Sequence, residues 1–385
     1  MSSVPTHSLH NPFPWYAHMR SNSPVFQDQR GVWHVFRHED VKRVLSDHDA
    51  FSSRRGSSAD PLSTSLISTD PPRHRQLRSL VTTAFTPRAI ANLSPRIDAI
   101  ANELIACLPE PGQALDIVEL LTTPLPVIVI AELLGIPAED RERFKLWSDA
   151  VIAGSRQAES GEAMTYSDAQ REMVAYFADT IRARSAHPKD DLISALTQAK
   201  VDGESLSQMD ILGFCILLLV AGNETTTNLL SNSLFTLHER PALWQTLAQD
   251  PAKIPDFIEE VLRHRSPVQH MYRRSTKQVT LSGVTIPAES HFVAWIGSAN
   301  RDEAMYADPD EFVIDRRDRH LAFGHGIHFC LGAPLARLEA KQALEALVKR
   351  YQGVVIPNPD ACEMVPTSLV YGFAKLPAQF LDAEP

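Results

Sequence analysis

The chain has 385 residues, of which 37 are basic and 47 are acidic, so its formal net charge at pH 7 is −10. Apolar residues make up 44% and charged residues 22%, which fits a globular protein with a sizeable core and excludes an intrinsically disordered one. The acidic balance argues against general binding of nucleic acid, because that function needs a cationic surface.

The cysteines and the apolar runs indicate the compartment. The four cysteines, Cys107, Cys215, Cys330 and Cys362, are scattered and form no Cys-x-x-Cys pair. This spacing suggests neither a disulfide framework nor a zinc site and fits a reducing cytosol. The N-terminus lacks the cationic start and the following apolar run that mark a signal peptide. The longest apolar run, residues 214–221, is much shorter than the roughly 18 residues that cross a bilayer. We therefore expect a cytoplasmic protein without a membrane span.

Helical periodicity dominates the chain. It occurs at residues 38–45, 88–108, 117–135, 139–154, 165–185, 207–238, 255–265 and 333–351. Strand-like runs are short and lie at residues 32–36, 279–284 and 291–296. Because the helices outnumber the strands and do not alternate with them, the sequence predicts a mainly α protein with small β-sheets. No linker divides the chain, so we predict a single domain over residues 1–385.

The first motif along the chain is DPPRHRQLR, residues 70–78. The two prolines start a helix, and His74 and Arg78 then share one face at positions i and i+4. Two cations on one face could hold a carboxylate. Taken alone, the motif is better explained as a solvated basic face.

The second motif, LLLVAGNETTT at residues 217–227, lies inside the long helical pattern. Gly222 costs roughly 1 kcal/mol relative to alanine in a helix, and three successive threonines add to this cost. Glu224 is also expensive in an apolar setting unless it has a partner. The small residues could open a gap in the helix that holds Glu224 and Thr225 as a polar relay. Alternatively, they only allow two helices to pack closely.

The third motif is the pair Glu260 and Arg263, which are neighbours at i and i+3 on the helix predicted at residues 255–265. Such pairs usually lie at the surface, where they contribute a few tenths of a kcal/mol. By itself, this pair indicates no function.

The fourth motif, FGHGIHFCLGAPLAR at residues 323–337, is the most informative. Gly324 and Gly326 permit backbone conformations that side chains forbid, and Gly332 allows the backbone to approach another group closely. The motif therefore predicts a tight loop that brings Cys330 to the N-terminus of a helix, where the helix dipole stabilises a thiolate. A thiolate is the form of cysteine that binds iron. A buried, inert cysteine is the alternative, but it leaves the glycines unexplained.

The four motifs read His-x-x-x-Arg, Ala-Gly-x-Glu-Thr, Glu-x-x-Arg and Phe-x-x-Gly-x-x-x-Cys-x-Gly. In this order and with these spacings, the chain resembles the cytochrome P450 family of haem-thiolate monooxygenases, in particular its soluble bacterial members. The resemblance extends from about residue 11 to residue 372. It implies the P450 fold, a single triangular domain with haem between a long central helix and the helix of the cysteine loop, and no fused reductase.

The resemblance implies haem b as the cofactor and Cys330 as the axial ligand of its iron. Thiolate ligation favours cleavage of the O–O bond. Phe323 would pack beside the sulfur, and the backbone N–H groups that follow Cys330, up to Gly332, would tune its potential. The family's haem-propionate partners correspond to His74, Arg78, Arg273 and His328.

On the opposite side of the cofactor, the resemblance implies that Ala221 and Gly222 form the groove for dioxygen. Glu224 and Thr225 match the acid–alcohol pair that delivers protons there. The resemblance also joins Glu260 and Arg263 to a third residue, here Arg316, in a structural trio. Ile314 stands where the usual family pattern has proline. By position, the substrate wall would include part of the loop at residues 58–69 together with Leu217, Val220, Ala221, Val268, Gln269 and Leu369.

The implied activity is the insertion of one oxygen atom from O2 into a hydrophobic small molecule, by hydroxylation or epoxidation of a terpenoid, steroid or fatty-acid-like compound. Electrons would come to a monomer from a separate ferredoxin or flavodoxin with its NAD(P)H reductase, because the chain has no G-x-G-x-x-G motif and no cysteine cluster. A basic patch would dock this acidic carrier. Its members are Arg73, Arg75, Arg316, Arg317, Arg319 and Arg337. The alternative is that they are ordinary solvated arginines.

Two other functions stay open beside this one. One is a haem-thiolate peroxygenase or isomerase that needs no reductase. The other is a non-catalytic haem-binding protein of the same fold. The presence of both Glu224 and Thr225 favours oxygen activation with external electrons over either of them.

Overall fold

The structure is a computed structural model and describes residues 10–54, 65–82, 85–140, 142–144, 146–147, 150, 168–201 and 203–382. The chain forms two compact units. The first comprises Met1–Ser53, Ala101–Thr122 and Thr225–Pro385, and the second comprises Arg54–Ile100 and Thr123–Glu224. The prediction of one domain over residues 1–385 stays a prediction.

Helices account for most of the regular structure in the described ranges. In chain order, the α-helices are α1 Phe13–Asn22, α2 His38–Ser46, α3 Arg73–Thr82, α4 Pro87–Ala106, α5 Pro124–Leu133, α6 Asp168–Ala186, α7 Leu192–Gln198, α8 Gln208–Glu239, α9 Pro241–Gln249, α10 Ile254–His264, α11 Ile296–Ala299 and α12 Ala333–Arg350. The predicted mainly α architecture is confirmed. The helical pattern at residues 139–154 falls partly outside the described residues.

The strands are short, as predicted. They are β1 Val25–Gln27, β2 Trp33–Val35, β3 Phe51–Ser52, β4 Leu115–Asp116, β5 Lys200–Val201, β6 Glu204–Ser205, β7 His270–Ser275, β8 Val279–Leu281, β9 Val284–Ile286, β10 His291–Trp295, β11 Gly353–Val355, β12 Glu363–Met364, β13 Phe373–Lys375 and β14 Pro377–Leu381. The largest sheet has five strands in the order β1-β2-β10-β7-β3. All five belong to the first unit.

Two predicted elements differ from the structure. Residues 279–284 do not form one strand, because Ser282 and Gly283 adopt positive φ angles of 42° and 80° and turn the chain into the β8–β9 hairpin. Residues 117–135 do not form one helix either. A π-helical turn, Val118–Thr122, precedes α5, which starts at Pro124, a residue that the interior of a helix does not accommodate.

The five-stranded sheet fixes the position of α2. Its central strand β10 runs parallel to β2 and antiparallel to β7, so that Phe292 lies opposite both Trp33 and Arg273. The apolar face of α2, with Val41 and Val44, packs into the core cluster that contains Phe292. The C-terminal end of α2 is therefore held against the sheet.

The second unit contains α3, most of α4, the helices α5 to α7, the strands β5 and β6, and the first half of α8. Asp191 caps α7, because its carboxylate accepts a hydrogen bond of 2.8 Å from the N–H of Ser194. Arg184 of α6 pairs with the same carboxylate and donates to the carbonyl of Gly135. These contacts hold α6, α7 and the end of α5 together.

The long helix α8 is continuous over 32 residues. Its length and apolar composition would be sufficient to cross a membrane, but 56% of its most apolar window is buried within the protein. A buried core helix passes the same test. The composition of α8 is therefore weak evidence for a membrane span.

Helix α12 carries a buried acid, Glu339, which is 1% exposed. Its Oε2 has no hydrogen-bond partner in the described part of the chain. Burial raises the pKa of this carboxyl to about 8, because the charged form is poorly solvated there.

We expect Glu339→Gln to stabilise the protein increasingly as the pH rises from about 4.5 to 8. The raised pKa means that the folded state binds the proton more tightly than the unfolded state, so the wild-type chain loses stability across this window, on the order of a few kcal/mol in all. Melting temperatures of the haem-loaded proteins at pH 5 and pH 8 measure the effect. Glu345→Gln, which alters a half-buried pair with Lys341 on the same helix, is the control.

Candidate functional site

The predicted cysteine loop is a closed turn in the first unit. The N–H of Cys330 donates a hydrogen bond of 2.9 Å to the carbonyl of Phe323, and the N–H of Gly324 donates one of 2.8 Å to Leu321. Gly324 and Gly326 have φ angles of 74° and 73°, in the left-handed region that glycine enters without strain. The two glycines therefore let the chain turn back so that the two ends of the loop bond to each other.

Gly326 also lies close to the end of α2. A Cβ atom at this position would lie 2.8 Å from the Cα of Ser46. Since backbone cannot yield as a flexible side chain can, any larger residue would push the loop away from α2. The loop is thus seated on a helix that the five-stranded sheet holds in place.

Cys330 is exposed and lies two residues before Gly332, the N-cap of α12. The carbonyl of Gly332 accepts the first bond of the helix, 2.9 Å from the N–H of Ala336. Because Cys330 is exposed, the structure does not fit the alternative of a buried cysteine, and its role as a ligand stays a prediction. The exposed thiol, the turn of glycines and the half-buried ring of Phe323 fit a haem iron ligand.

The structure brings Glu260, Arg263 and Arg316 together. Arg263 is 1% exposed and forms a double hydrogen bond with the Glu260 carboxylate, at 2.7 and 2.8 Å. Arg316 Nε lies 3.4 Å from Glu260 Oε1, which also accepts the N–H of Val313 at 2.8 Å. This is a buried network, and the surface pair that the spacing alone suggests is not what forms.

The two arginines of this network also bind the main chain of the irregular segment before the cysteine loop. Arg263 donates to the carbonyls of Asn300, Pro309 and Glu311 at 2.7 to 3.0 Å. Arg316 donates to the carbonyl of Ala307 at 2.8 Å. These bonds give residues 300–311 a defined path without regular secondary structure.

In the second unit, the small residues of α8 allow a close contact. A Cβ atom at Gly222 would lie 2.9 Å from Cδ1 of Ile130. The helix has no break there, so the gap considered for residues 221–227 is not present and close packing explains Gly222. Ala221 is exposed on this helix, and Glu224 is half-buried.

Thr225 begins the part of α8 that belongs to the first unit, and its side chain is half-buried. Of the other two threonines, Thr226 is buried, and Thr227 donates a hydrogen bond of 3.0 Å to the carbonyl of Thr122. Thr227 therefore has a structural partner inside its own unit.

The residues predicted to bind propionates are placed as follows. His74 is 3% exposed and Arg78 is half-buried on α3 of the second unit. In the first unit, Arg273 is buried on β7 and donates to the carbonyl of Tyr272, and His328 is half-buried in the turn before Cys330.

Three of the residues predicted to contact substrate meet in the first unit. Val268 pairs with Val370, and the N–H of Gln269 donates to the carbonyl of Leu369 at 2.8 Å. The Gln269 side chain is 2% exposed and is held by Tyr16 Oη at 2.7 Å and the Ser266 carbonyl at 2.6 Å. In the second unit, Leu217 is buried and Val220 half-buried on α8. The loop at residues 58–69 lies partly outside the described residues.

Comparison with known proteins gives the following similarities. The chain matches the sequence model of the family described as Cytochrome P450 over residues 23–152 and 147–381. The Erythromycin C-12 hydroxylase of Saccharopolyspora erythraea is 44% identical over 354 residues, which are 90% of this chain and 88% of that protein.

Solved structures extend the similarity to the fold. Substrate-free CYP109E1 of Bacillus megaterium has a TM-score of 0.90 and 44% identity and covers 97% of this chain and 100% of its own. The same enzyme in complex with testosterone has a TM-score of 0.86 and 44% identity, with 96% and 99% of the two chains covered.

Proposed function

The chain belongs to the cytochrome P450 family of monooxygenases, and we propose that Cys330 is its thiolate ligand to the iron of haem b. The observation that carries this proposal is the exposed Cys330 thiol at the N-terminus of α12, held by a turn of glycines. Bound haem would supply the iron chemistry that activates O2 and transfers one oxygen atom to the substrate.

The residues around the loop would hold the cofactor in place. His74, Arg78, Arg273 and His328 would bind the haem propionates, because carboxylates in a poorly solvated site need several cationic or N–H donors. Gly332 would leave room for close approach of the backbone, and Phe323 would pack beside the sulfur. Ala221 and Gly222 would leave room for dioxygen on α8.

Glu224 and Thr225 would move protons to the reacting oxygen. The Glu224 carboxyl would take a proton from solvent, and the Thr225 hydroxyl, the next residue along α8, would pass it on. Both side chains are half-buried, which suits a group that exchanges protons with water. A hydroxyl both donates and accepts hydrogen bonds, so Thr225 is suited to a relay.

We expect Thr225→Ala to keep its haem and its substrate affinity but to divert electrons from product to hydrogen peroxide. Without the hydroxyl, protons would reach the reacting oxygen less selectively, and the ratio of product formed to NAD(P)H consumed would fall several-fold. Thr225→Ser, which restores the hydroxyl, should recover coupling, and Thr226→Ala is the neighbouring control. Unchanged coupling in Thr225→Ala would overturn the assignment.

We propose a steroid-sized hydrophobic molecule as the substrate. Support comes from the apolar character of Leu217, Val220, Val268 and Leu369, and from the testosterone complex of CYP109E1, which is 44% identical to this chain. Apolar walls with few polar groups are typical of sites for such ligands.

Titration with testosterone should shift the Soret band of the haem-loaded protein, because a substrate that binds in the site displaces water from it. A macrolide related to erythromycin serves as the comparison, because the Erythromycin C-12 hydroxylase is also 44% identical. A shift with the macrolide alone would replace the steroid proposal with a macrolide one.

The electron source, the compartment and the assembly also stand as proposals. We propose a monomer in the cytoplasm that receives electrons from an acidic ferredoxin or flavodoxin with its NAD(P)H reductase. Arg317 and Arg319 are exposed and suited to docking such a carrier, whereas Arg73 is paired with Asp210 at 2.6 Å. Faster turnover with hydrogen peroxide than with the reductase system would instead favour the peroxygenase.

A further inference from the structure

Behind the cysteine loop, an arginine of α12 is bound to an acid of α10. Arg337 Nε lies 2.6 Å from Glu259 Oε1, and a second guanidinium nitrogen, Nη2, lies 2.8 Å from Oε2. His320 adds a third group, with its Nε2 3.3 Å from Glu259 Oε2. A two-point contact of this kind fixes the plane of the guanidinium as well as its position.

The fixed guanidinium lies over the ring of Phe323. Arg337 Cζ is 4.5 Å from the ring centre, within the range of a cation–π contact. The carbonyl of Phe323 accepts the N–H of Cys330 at 2.9 Å. One series of contacts therefore runs from Glu259 through Arg337 and Phe323 to the backbone of Cys330.

The ion pair persists at physiological pH. Burial alone would raise the pKa of Glu259, but hydrogen bonds to Arg337 and His320 outweigh it and hold the pKa at about 2. The carboxylate is thus charged at neutral pH, where it remains available as a partner for Arg337.

We propose that Arg337 is a positioning residue for the Cys330 thiolate, acting through Phe323, rather than a docking cation for the electron carrier. The inference rests on the proposed role of Cys330 as the haem ligand. Arg337 restrains the Phe323 ring, and the restrained residue keeps its carbonyl on the Cys330 N–H. The turn that presents the sulfur to iron then has one conformation, which fixes the hydrogen bonds made to the sulfur. Such bonds tune the reduction potential of a thiolate-ligated haem.

The test uses haem-loaded Arg337→Lys, which keeps the charge but loses the two-point contact and the planar stacking. We expect two changes relative to the wild-type protein. The reduction potential shifts, and a larger share of the reduced carbon-monoxide complex absorbs at the shorter Soret wavelength that marks loss of thiolate ligation. Glu259→Gln, which leaves the guanidinium only one neutral acceptor in place of a carboxylate, should also increase the short-wavelength share.

A double-mutant cycle shows whether Arg337 acts through Phe323. If it does, Arg337→Lys adds little to the shift in a Phe323→Leu background, because contacting residues are not additive. Fully additive shifts would overturn the proposal. The proposal would also be overturned if Arg337→Lys kept the potential and the spectrum of the wild-type protein but bound an acidic ferredoxin more weakly. That is the behaviour of a docking cation.

Arg317→Gln is the matched control, since Arg317 is exposed and belongs to the predicted docking patch. It should weaken ferredoxin binding in a salt-dependent way and leave the potential and the Soret band unchanged. Failure of the proposed function would be seen separately, because the wild-type protein itself would then lack the thiolate band.

Discussion

Cys330→Ser is expected to abolish the strongly red-shifted Soret band of the reduced carbon-monoxide complex and to reduce monooxygenase turnover to background. A neutral serine hydroxyl cannot replace the thiolate, which alone donates the electron density that favours O–O cleavage. The substitution changes one exposed atom and keeps the main-chain bond between the N–H of Cys330 and the carbonyl of Phe323, so the fold should be preserved. The spectrum and far-ultraviolet circular dichroism of the same sample measure both effects.

Cys107→Ser is the control for this experiment, because Cys107 is also an exposed cysteine and has no predicted role in binding haem. It should retain the band and the turnover of the wild-type protein. A red-shifted band that persists in Cys330→Ser would contradict the assignment of the ligand. A band at the position typical of histidine ligation in the wild-type protein would preserve the fold assignment but remove the monooxygenase proposal.

Glu260→Ala is expected to lower the free energy of unfolding by about 3–5 kcal/mol, the usual cost of removing one partner from a buried ion pair. The carboxylate accepts hydrogen bonds from both Arg263 and the N–H of Val313, and lies 3.4 Å from Arg316. Without it, two poorly solvated cations would face each other with no anion between them. Since the total stability of most domains is about 5–15 kcal/mol, we expect little soluble, haem-loaded protein at 37 °C.

Urea denaturation of the haem-loaded protein at low temperature measures this loss directly. Glu345→Ala, which removes a half-buried glutamate paired with Lys341, should cost less than about 1 kcal/mol. A similarly small cost for Glu260→Ala would mean that the network contributes little to stability. A structural role for Arg316 would then lose its support.

Local patterns in the sequence predict the parts of the site that form locally. The spacing of glycines around Cys330 is sufficient to predict a tight loop before a helix, because backbone sterics decide the conformation at Gly324 and Gly326. Helix α8 is likewise predicted to within a residue or two at each end. This is because the repeat of apolar residues along α8 is a local pattern that does not depend on distant partners.

Local patterns do not predict contacts between residues that are distant in the sequence. Strand β7 is missed because its residues, HMYRRS, are mostly polar or charged, and its pairing with β10 makes it a strand. The contact between Glu259 and Arg337, 78 residues apart, is missed as well. The helical spacing in this part of the sequence indicates only the neighbouring pair of Glu260 and Arg263. The proximity of Gly326 to Ser46 also depends on how α2 packs, which no local pattern encodes.

The irregular segment before the cysteine loop also bears on how this sequence can change over time. Arg263 and Arg316 bind that segment through its carbonyl oxygens, at Asn300, Ala307, Pro309 and Glu311. Carbonyls are the same in every residue, so the side chains of Ala307, Pro309 and Glu311 can be exchanged while these bonds are kept. Substitution is therefore restricted at residues 300–302, whose side chains bond to the N–H of Leu321, the carbonyl of His264 and the N–H of His38. It is freer at Ala307, Pro309 and Glu311, where the two arginines bind only the main chain.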